Sequence, residues 1–298
     1  MRWRPSSQNQ VEDRRGEWGR SGGLGGMRMG GLGGGGIPIP VGGGIGGIVI
    51  AIVIYVVLNM LGGSGLGGAI GGLGGGTTTG GGAIGTLDPG DNEAQFINAV
   101  TVDVQTFWED TFKAAGKTYP DTVTVLFTDQ TQSGCGVASS ATGPFYCPSD
   151  QKVYLDAGFF DELRTRFGAD GDFAHAYVIA HEFGHHVQDV LGIMDQVQQQ
   201  QTSSNANDLS IRLELQADCL AGVWAHSTYE RGLLERGDLE EALTAAASVG
   251  DDRIQKQATG RIAPETFTHG TAAQRSSWFH KGFDAGDATA CDTFSGDI

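Results

Sequence analysis

The stretch 178-VIAHEFGHHVQ-188 sets three of the chain's seven histidines and one glutamate inside an apolar run. Residues 172–191 read as one helix that ends at Gly192. On a helix, His181 and His185 stand one turn apart on the same face. Two imidazoles so placed can reach a single Zn²⁺, and Glu182 beside them can take a proton from the water that the metal activates. His186 lies about 100° around the helix from His185, so it is expected to pack rather than share the metal. The same packing role is expected of His175 and His226.

A catalytic zinc needs a third protein ligand and an open position. Downstream, 212-RLELQADCLAGVWA-225 offers Glu214 and Asp218 at the same i, i+4 spacing on another apolar helix. Glu214 is the expected third ligand. Asp218 is expected behind it, accepting a hydrogen bond from the far nitrogen of a ligating histidine and so fixing its tautomer. Farther on, 266-TFTHGTAAQR-275 carries His269 and Arg275. His269 is the candidate second donor to a developing oxyanion, and Arg275 a candidate to orient it or to bind substrate backbone.

Around these helices the pattern is α+β, with strands before helices. A helix is expected over 91–115, capped by Asp91, and strands over 122–127 and 152–156. Further helices are expected at 158–167, 209–231 and 238–249. Residues 197–208 read as polar loop, and 262–298 are short on pattern. Strand 152–156 is expected at a sheet edge, where an extended substrate could add as a further strand.

The N-terminal third is different. No charged residue occurs between Arg28 and Asp88, and within that gap lies 45-IGGIVIAIVIYVVLNML-61. With the upstream apolar residues it reaches the length of about 20 that spans a bilayer. Six arginines precede it (Arg2, Arg4, Arg14, Arg15, Arg20 and Arg28) and no basic residue follows until Lys113. The positive-inside rule then places the N-terminus in the cytoplasm and the rest outside. A cleaved signal peptide is the rival, with an unusually long n-region. The expected organisation is a basic, Gly-rich cytoplasmic tail (1–36), a single transmembrane helix (37–62), a flexible Gly-rich linker (63–90) and a catalytic domain (91–298). The net charge of −16 disfavours nucleic-acid binding, which needs a basic face.

All four cysteines fall in the part expected outside, where disulfides persist. The short loop favours Cys135 with Cys147, which leaves Cys219 with Cys291; the other two connectivities stay open. No CxxC pair suggests a thiolate zinc site.

The HExxH and ExxxD pair resembles the gluzincin metallopeptidases. The fuller set is 11-VEDRRG-16, one apolar segment, a Gly-rich linker, GPFYCPSDQKVYLD, HEFGHHVQ, ELQADCLAG and THGTAAQR. As a set it resembles the neutral zinc metallopeptidases of the YpfJ-like type over nearly the whole chain. The THG segment is similar to the Thr-His-Pro of membrane-linked gluzincins, with Gly270 in place of proline. The resemblance implies a zincin-like α+β domain, Zn²⁺ as cofactor, and hydrolysis of a protein or peptide substrate by a membrane-anchored enzyme. It supplies no substrate. Two rival functions are a zinc-stabilised binding or chaperone-like domain without turnover, and a zinc amidase acting on cell-wall bonds. Glu182, which pure binding would not require, favours an enzyme.

Overall fold

The computed structural model describes residues 1–17 and 84–298. The expected transmembrane helix (37–62) and the linker up to residue 83 lie outside the described residues. Among the described residues, no helix is long and apolar enough to cross a membrane.

The described chain is α+β, as expected. Helix α1 (Asn92–Ala114) starts where the Asp91 carboxylate accepts the Ala94 N–H at 3.0 Å, an N-cap of the usual kind. It buries Phe96, Ile97, Val100, Val104 and Trp108. The main sheet holds β1 (Val11–Asp13), β2 (Val123–Phe127), β5 (Phe145–Cys147) and β6 (Lys152–Asp156). Its order is β1-β2-β6-β5, parallel across the first two pairings and antiparallel at the last. A hairpin of β3 (Gln130–Ser133) and β4 (Gly136–Ser139) stands apart. The helices that follow are α2 (Ala157–Thr165), α3 (Asp172–Val190), α4 (Ile193–Gln200), α5 (Ala206–Glu230), α6 (Asp238–Ser248), α7 (Asp251–Thr259) and α8 (Ala272–Ala285).

Three expectations are corrected. First, β6 is not an edge strand. It is flanked by β2 and β5, and Val153, Tyr154 and Leu155 are all buried; such a run on both faces marks an inner strand. Among the described residues the edge strand beside it is β5.

Second, residues 1–17 are not a tail separate from the domain. Val11–Asp13 pair with Thr124–Leu126, and Val11 is wholly buried. Glu12, also buried, bonds Arg14 at 2.7 Å and Lys152 at 2.8 Å. The Asn98 side chain bonds both Gln8 and Gln10 backbone. Strands joined by hydrogen bonds occupy one compartment, so this segment and the metal helices lie on the same side of any membrane. A three-residue strand is too short to show a period in sequence.

Third, the C-terminal stretch is ordered around α8, and α4 covers the first part of the expected loop at 197–208. Glycines explain how closely α5 is wrapped. A Cβ on Gly184 of α3 would sit 3.0 Å from the Ala217 backbone of α5. On Gly282 of α8 it would sit 1.9 Å from the Cys219 carbonyl oxygen, and on Gly222 of α5 it would sit 2.1 Å from the Phe279 carbonyl oxygen. Helices α3, α5 and α8 therefore meet backbone to backbone, which sets the distances in the site below. Gly282→Ala should push α8 off α5 and cost about 1–3 kcal/mol, the usual range for overpacking. Thermal unfolding checks this, and an unchanged midpoint would mean that the helices can separate freely.

Both disulfides have the favoured connectivity: Cys135–Cys147 and Cys219–Cys291. The second closes 72 residues and ties the C-terminal segment to α5. In the chain-entropy picture each contributes about 3–4.5 kcal/mol by restricting the unfolded chain.

Candidate metal centre

Helix α3 delivers His181 and His185 from consecutive turns, and α5 delivers Glu214 across the Gly184–Ala217 contact. The ligand atoms of these three side chains all lie within 4.8 Å of one another. His181 Nε2 is 3.2 Å from Glu214 Oε2, and His185 Nε2 is 3.5 Å from Glu214 Oε1.

The tautomers follow from the partners. His181 Nδ1 is 2.9 Å from Asp218 Oδ1. A carboxylate only accepts, so Nδ1 keeps its proton, and in the neutral ring Nε2 is the nitrogen whose lone pair faces Glu214. His185 Nδ1 meets Gln188 Oε1 at 2.8 Å, which gives it the same orientation. Two imidazole lone pairs and one carboxylate form an N/N/O donor set, with no thiolate and no free cysteine among the described residues. That set fits a zinc site with three protein ligands and an open position.

Asp218 is wholly buried, yet it is saturated. It accepts from Tyr177 Oη at 2.5 Å, from Arg275 Nε at 2.8 Å and from Arg275 Nη2 at 3.0 Å, besides His181. Burial would push its carboxyl up, but Arg275 and then His181 outweigh burial and hold it ionised. Asp218 thus stands where the sequence placed it. Arg275 does not: its side chain is only 4% exposed, and its guanidinium is spent on Asp218, Tyr177 and the Val249 carbonyl. The expectation that it binds substrate is corrected, since a guanidinium enclosed behind His181 cannot reach a ligand. It positions Asp218 instead. Glu214 is held ionised in the same way, with His185, His269 and His181 outweighing its burial.

Glu182 is 7% exposed and makes no hydrogen bond among the described residues, so its carboxylate is committed to no other group. Burial pushes its pKa up from the ordinary glutamate value, which favours proton pick-up at neutral pH.

His269 keeps a quarter of its side chain exposed. Its Nδ1 is 3.2 Å from Asp251 Oδ1, while Asp251 Oδ2 accepts the backbone N–H groups of Thr268 and His269 at 2.7 Å and of Gly270 at 3.2 Å. Asp251, the first residue of α7, thus holds both the turn and the ring. Burial pulls the His269 pKa down, but Glu214 and Asp251 outweigh it and raise it. Three other histidines pack as expected. His186 is buried between Tyr146 and the Pro120 carbonyl, His175 lies against Phe160, and His226 meets the Phe283 carbonyl.

Sequence reading missed Tyr177, Gln188, Gln216 and Asp251. Tyr177 precedes His181 by one turn and Gln188 follows His185 by three, so helical phase could have flagged both. For Gln216 and Asp251 no sequence signal points to the site.

The His181 environment gives a pH dependence. Burial lowers its pKa, but Asp218 and Glu214 outweigh burial and raise it to about 9. Without metal the ring is therefore charged below that pH, and a metal ion must displace the proton. Zinc affinity should fall about tenfold per pH unit below this value, with about one proton released on uptake at pH 7. Chelator competition at several pH values checks this; a flat profile would mean that His181 is already neutral.

Comparisons with known proteins give the chain's family. A family model described as "Putative neutral zinc metallopeptidase" matches residues 1–294. The Escherichia coli K12 protein named "Uncharacterized protein YpfJ" is 50% identical over 217 residues, covering 72% of this chain and 76% of that one. The Mycobacterium tuberculosis H37Rv protein named "Uncharacterized protein Rv2575" is 52% identical over 181 residues, covering 57% of this chain and 61% of its own. No solved structure matches.

Proposed function

Because the chain belongs to the neutral zinc metallopeptidase family, we propose that it is a zinc-dependent peptidase whose His181, His185 and Glu214 hold the metal. The observation that carries this reading is the convergence of two inward Nε2 atoms and the Glu214 carboxylate beside an unpartnered Glu182. Zinc at that position supplies Lewis acidity, which acidifies water and polarises a carbonyl oxygen. Glu182 is the general base: it takes a proton from the attacking water and passes it to the leaving amine. His269, with Nδ1 held by Asp251, donates from Nε2 to the oxyanion as charge develops. Asp218, backed by Tyr177 and Arg275, keeps His181 in its working tautomer.

An extended peptide pairs along the free edge of β5. This strand lies beside α3, where Tyr146 contacts His186 at 3.0 Å and Asp189 at 2.8 Å. Main-chain pairing there gives affinity without demanding particular side chains. The two disulfides support an oxidising, extracytoplasmic compartment; the apolar residues 37–62 are long enough to span a bilayer, but the pairing of Val11–Asp13 with Thr124–Leu126 does not support the expected single pass with a cytoplasmic N-terminus. The acidic chain supports a protein or peptide partner over nucleic acid.

The test is turnover by the zinc-loaded chain, offered an unfolded protein and, separately, cell-wall fragments. Cleavage of the protein is expected; release of wall amides alone would reassign it as an amidase, and no cleavage of either would favour a binding domain. Within that assay His269→Ala should lower kcat by roughly 10²–10³-fold with little change in KM, the size of one oxyanion donor. Loss of zinc in this variant would make His269 a ligand instead.

A further inference from the structure

The second metal-facing histidine is oriented by a chain of amides that ends outside the site. Gln188 Nε2 donates to the Leu213 carbonyl at 2.7 Å and to Gln216 Oε1 at 3.1 Å. Gln216 Nε2 donates to the Cys291 carbonyl at 2.9 Å. Cys291 is fixed to α5 by its disulfide to Cys219. Gln188, Cys219 and Cys291 are essentially sealed from solvent, and Gln216 is 8% exposed.

The direction of every bond is forced. A backbone carbonyl can only accept, so Cys291 fixes the NH₂ end of Gln216, and Leu213 fixes the NH₂ end of Gln188. The oxygen of Gln216 then faces Gln188, and the oxygen of Gln188 faces His185. His185 Nδ1 must therefore carry its proton, and Nε2 must present its lone pair toward Glu214. Leu213 is also the residue before Glu214, so Gln188 ties the backbone of one ligand to the ring of another.

We propose that Gln188 and Gln216 are positioning residues that set the tautomer and orientation of His185 from the disulfide-anchored Cys291 carbonyl. His181 obtains the same service from a charged group, Asp218; His185 obtains it from neutral amides whose orientation must be imposed from elsewhere. The C-terminal segment is thereby part of the metal site, although it carries no ligand. This inference rests on the reading that the trio holds zinc.

The test is Zn²⁺ affinity of the purified full chain, by competition with a chromophoric chelator, alongside the unfolding midpoint of the metal-free protein. Gln188→Leu should weaken zinc about 10–100-fold, the usual cost of losing a partner behind a metal ligand. Gln216→Leu should cost less, because Leu213 still fixes Gln188. Gln188→Glu keeps an acceptor for Nδ1 but sets its other oxygen against the Leu213 carbonyl and Gln216 Oε1, so it should recover only part of the affinity lost in Gln188→Leu. The Cys219→Ser/Cys291→Ser pair should weaken zinc when Gln188 is present and add nothing in Gln188→Leu, because the route to His185 is already cut. Unchanged affinity in Gln188→Leu, or additive losses in the combined variant, overturns the relay. A lowered midpoint with wild-type zinc affinity assigns the amides to packing alone and also overturns it. If the wild-type chain itself holds no zinc, the metal reading fails instead.

Discussion

Glu182→Gln should lower turnover by roughly 10²–10⁴-fold, the range of general acid–base catalysis, and leave the zinc content unchanged. The amide has nearly the same shape but cannot take a proton. Glu182 is directed at none of the groups that hold the site together: among the described residues it makes no hydrogen bond, while Asp218 and Gln188 orient the histidines without it. Removing its charge also leaves Glu214 beside both rings. Zinc by elemental analysis and kcat on an unfolded protein are therefore expected to separate. If both fall together, Glu182 has a structural hold on the metal, and the base lies elsewhere.

Glu214→Ala should do the reverse and empty the site. Among the described residues Glu214 is the carboxylate that faces both Nε2 atoms, and its charge raises the pKa of His269. Two neutral imidazoles alone are a weak set for zinc, which takes three protein ligands at catalytic sites. Affinity should fall by more than about 100-fold, beyond the 10–100-fold cost of losing a partner behind a ligand. The fold should survive, because Arg275 stays neutralised by Asp218. Full zinc retention would move the third ligand to another residue.

The candidate trio is legible in the sequence because each pair or single residue sits within one helix, where spacing alone fixes the face. His181, His185 and Glu214 with Asp218 need only the 3.6-residue period to be recognised. What surrounds them was not legible, because it depends on contacts between elements far apart in sequence. In sequence Arg275 reads as a substrate contact because the pattern over 262–298 does not show α8, and the Gly282–Cys219 approach is what brings it behind Asp218. Asp251 reaches His269 across 18 residues of chain through backbone N–H groups, which leave no trace in composition. The sheet is half visible: β2 shows β-branched alternation and β6 a short apolar run, but neighbour order does not follow from pattern. Pattern alone therefore puts β6 at an edge, and β1, three residues long, is indistinguishable from a tail.

The placement of β1 also bears on how the chain is made. Val11 leaves the ribosome early, but its partner Thr124 follows only after the glycine-rich and apolar stretch between them. A parallel pairing over such a distance forms slowly, since the loop must close before any contact is gained. Until then β2 has an open edge, with Val125, Leu126 and Phe127 beside it, and such an edge recruits other chains. A chain begun at residue 91 would never close it. Its metal helices would be complete, but it should self-associate through β2 and lose Glu12, the partner of Lys152.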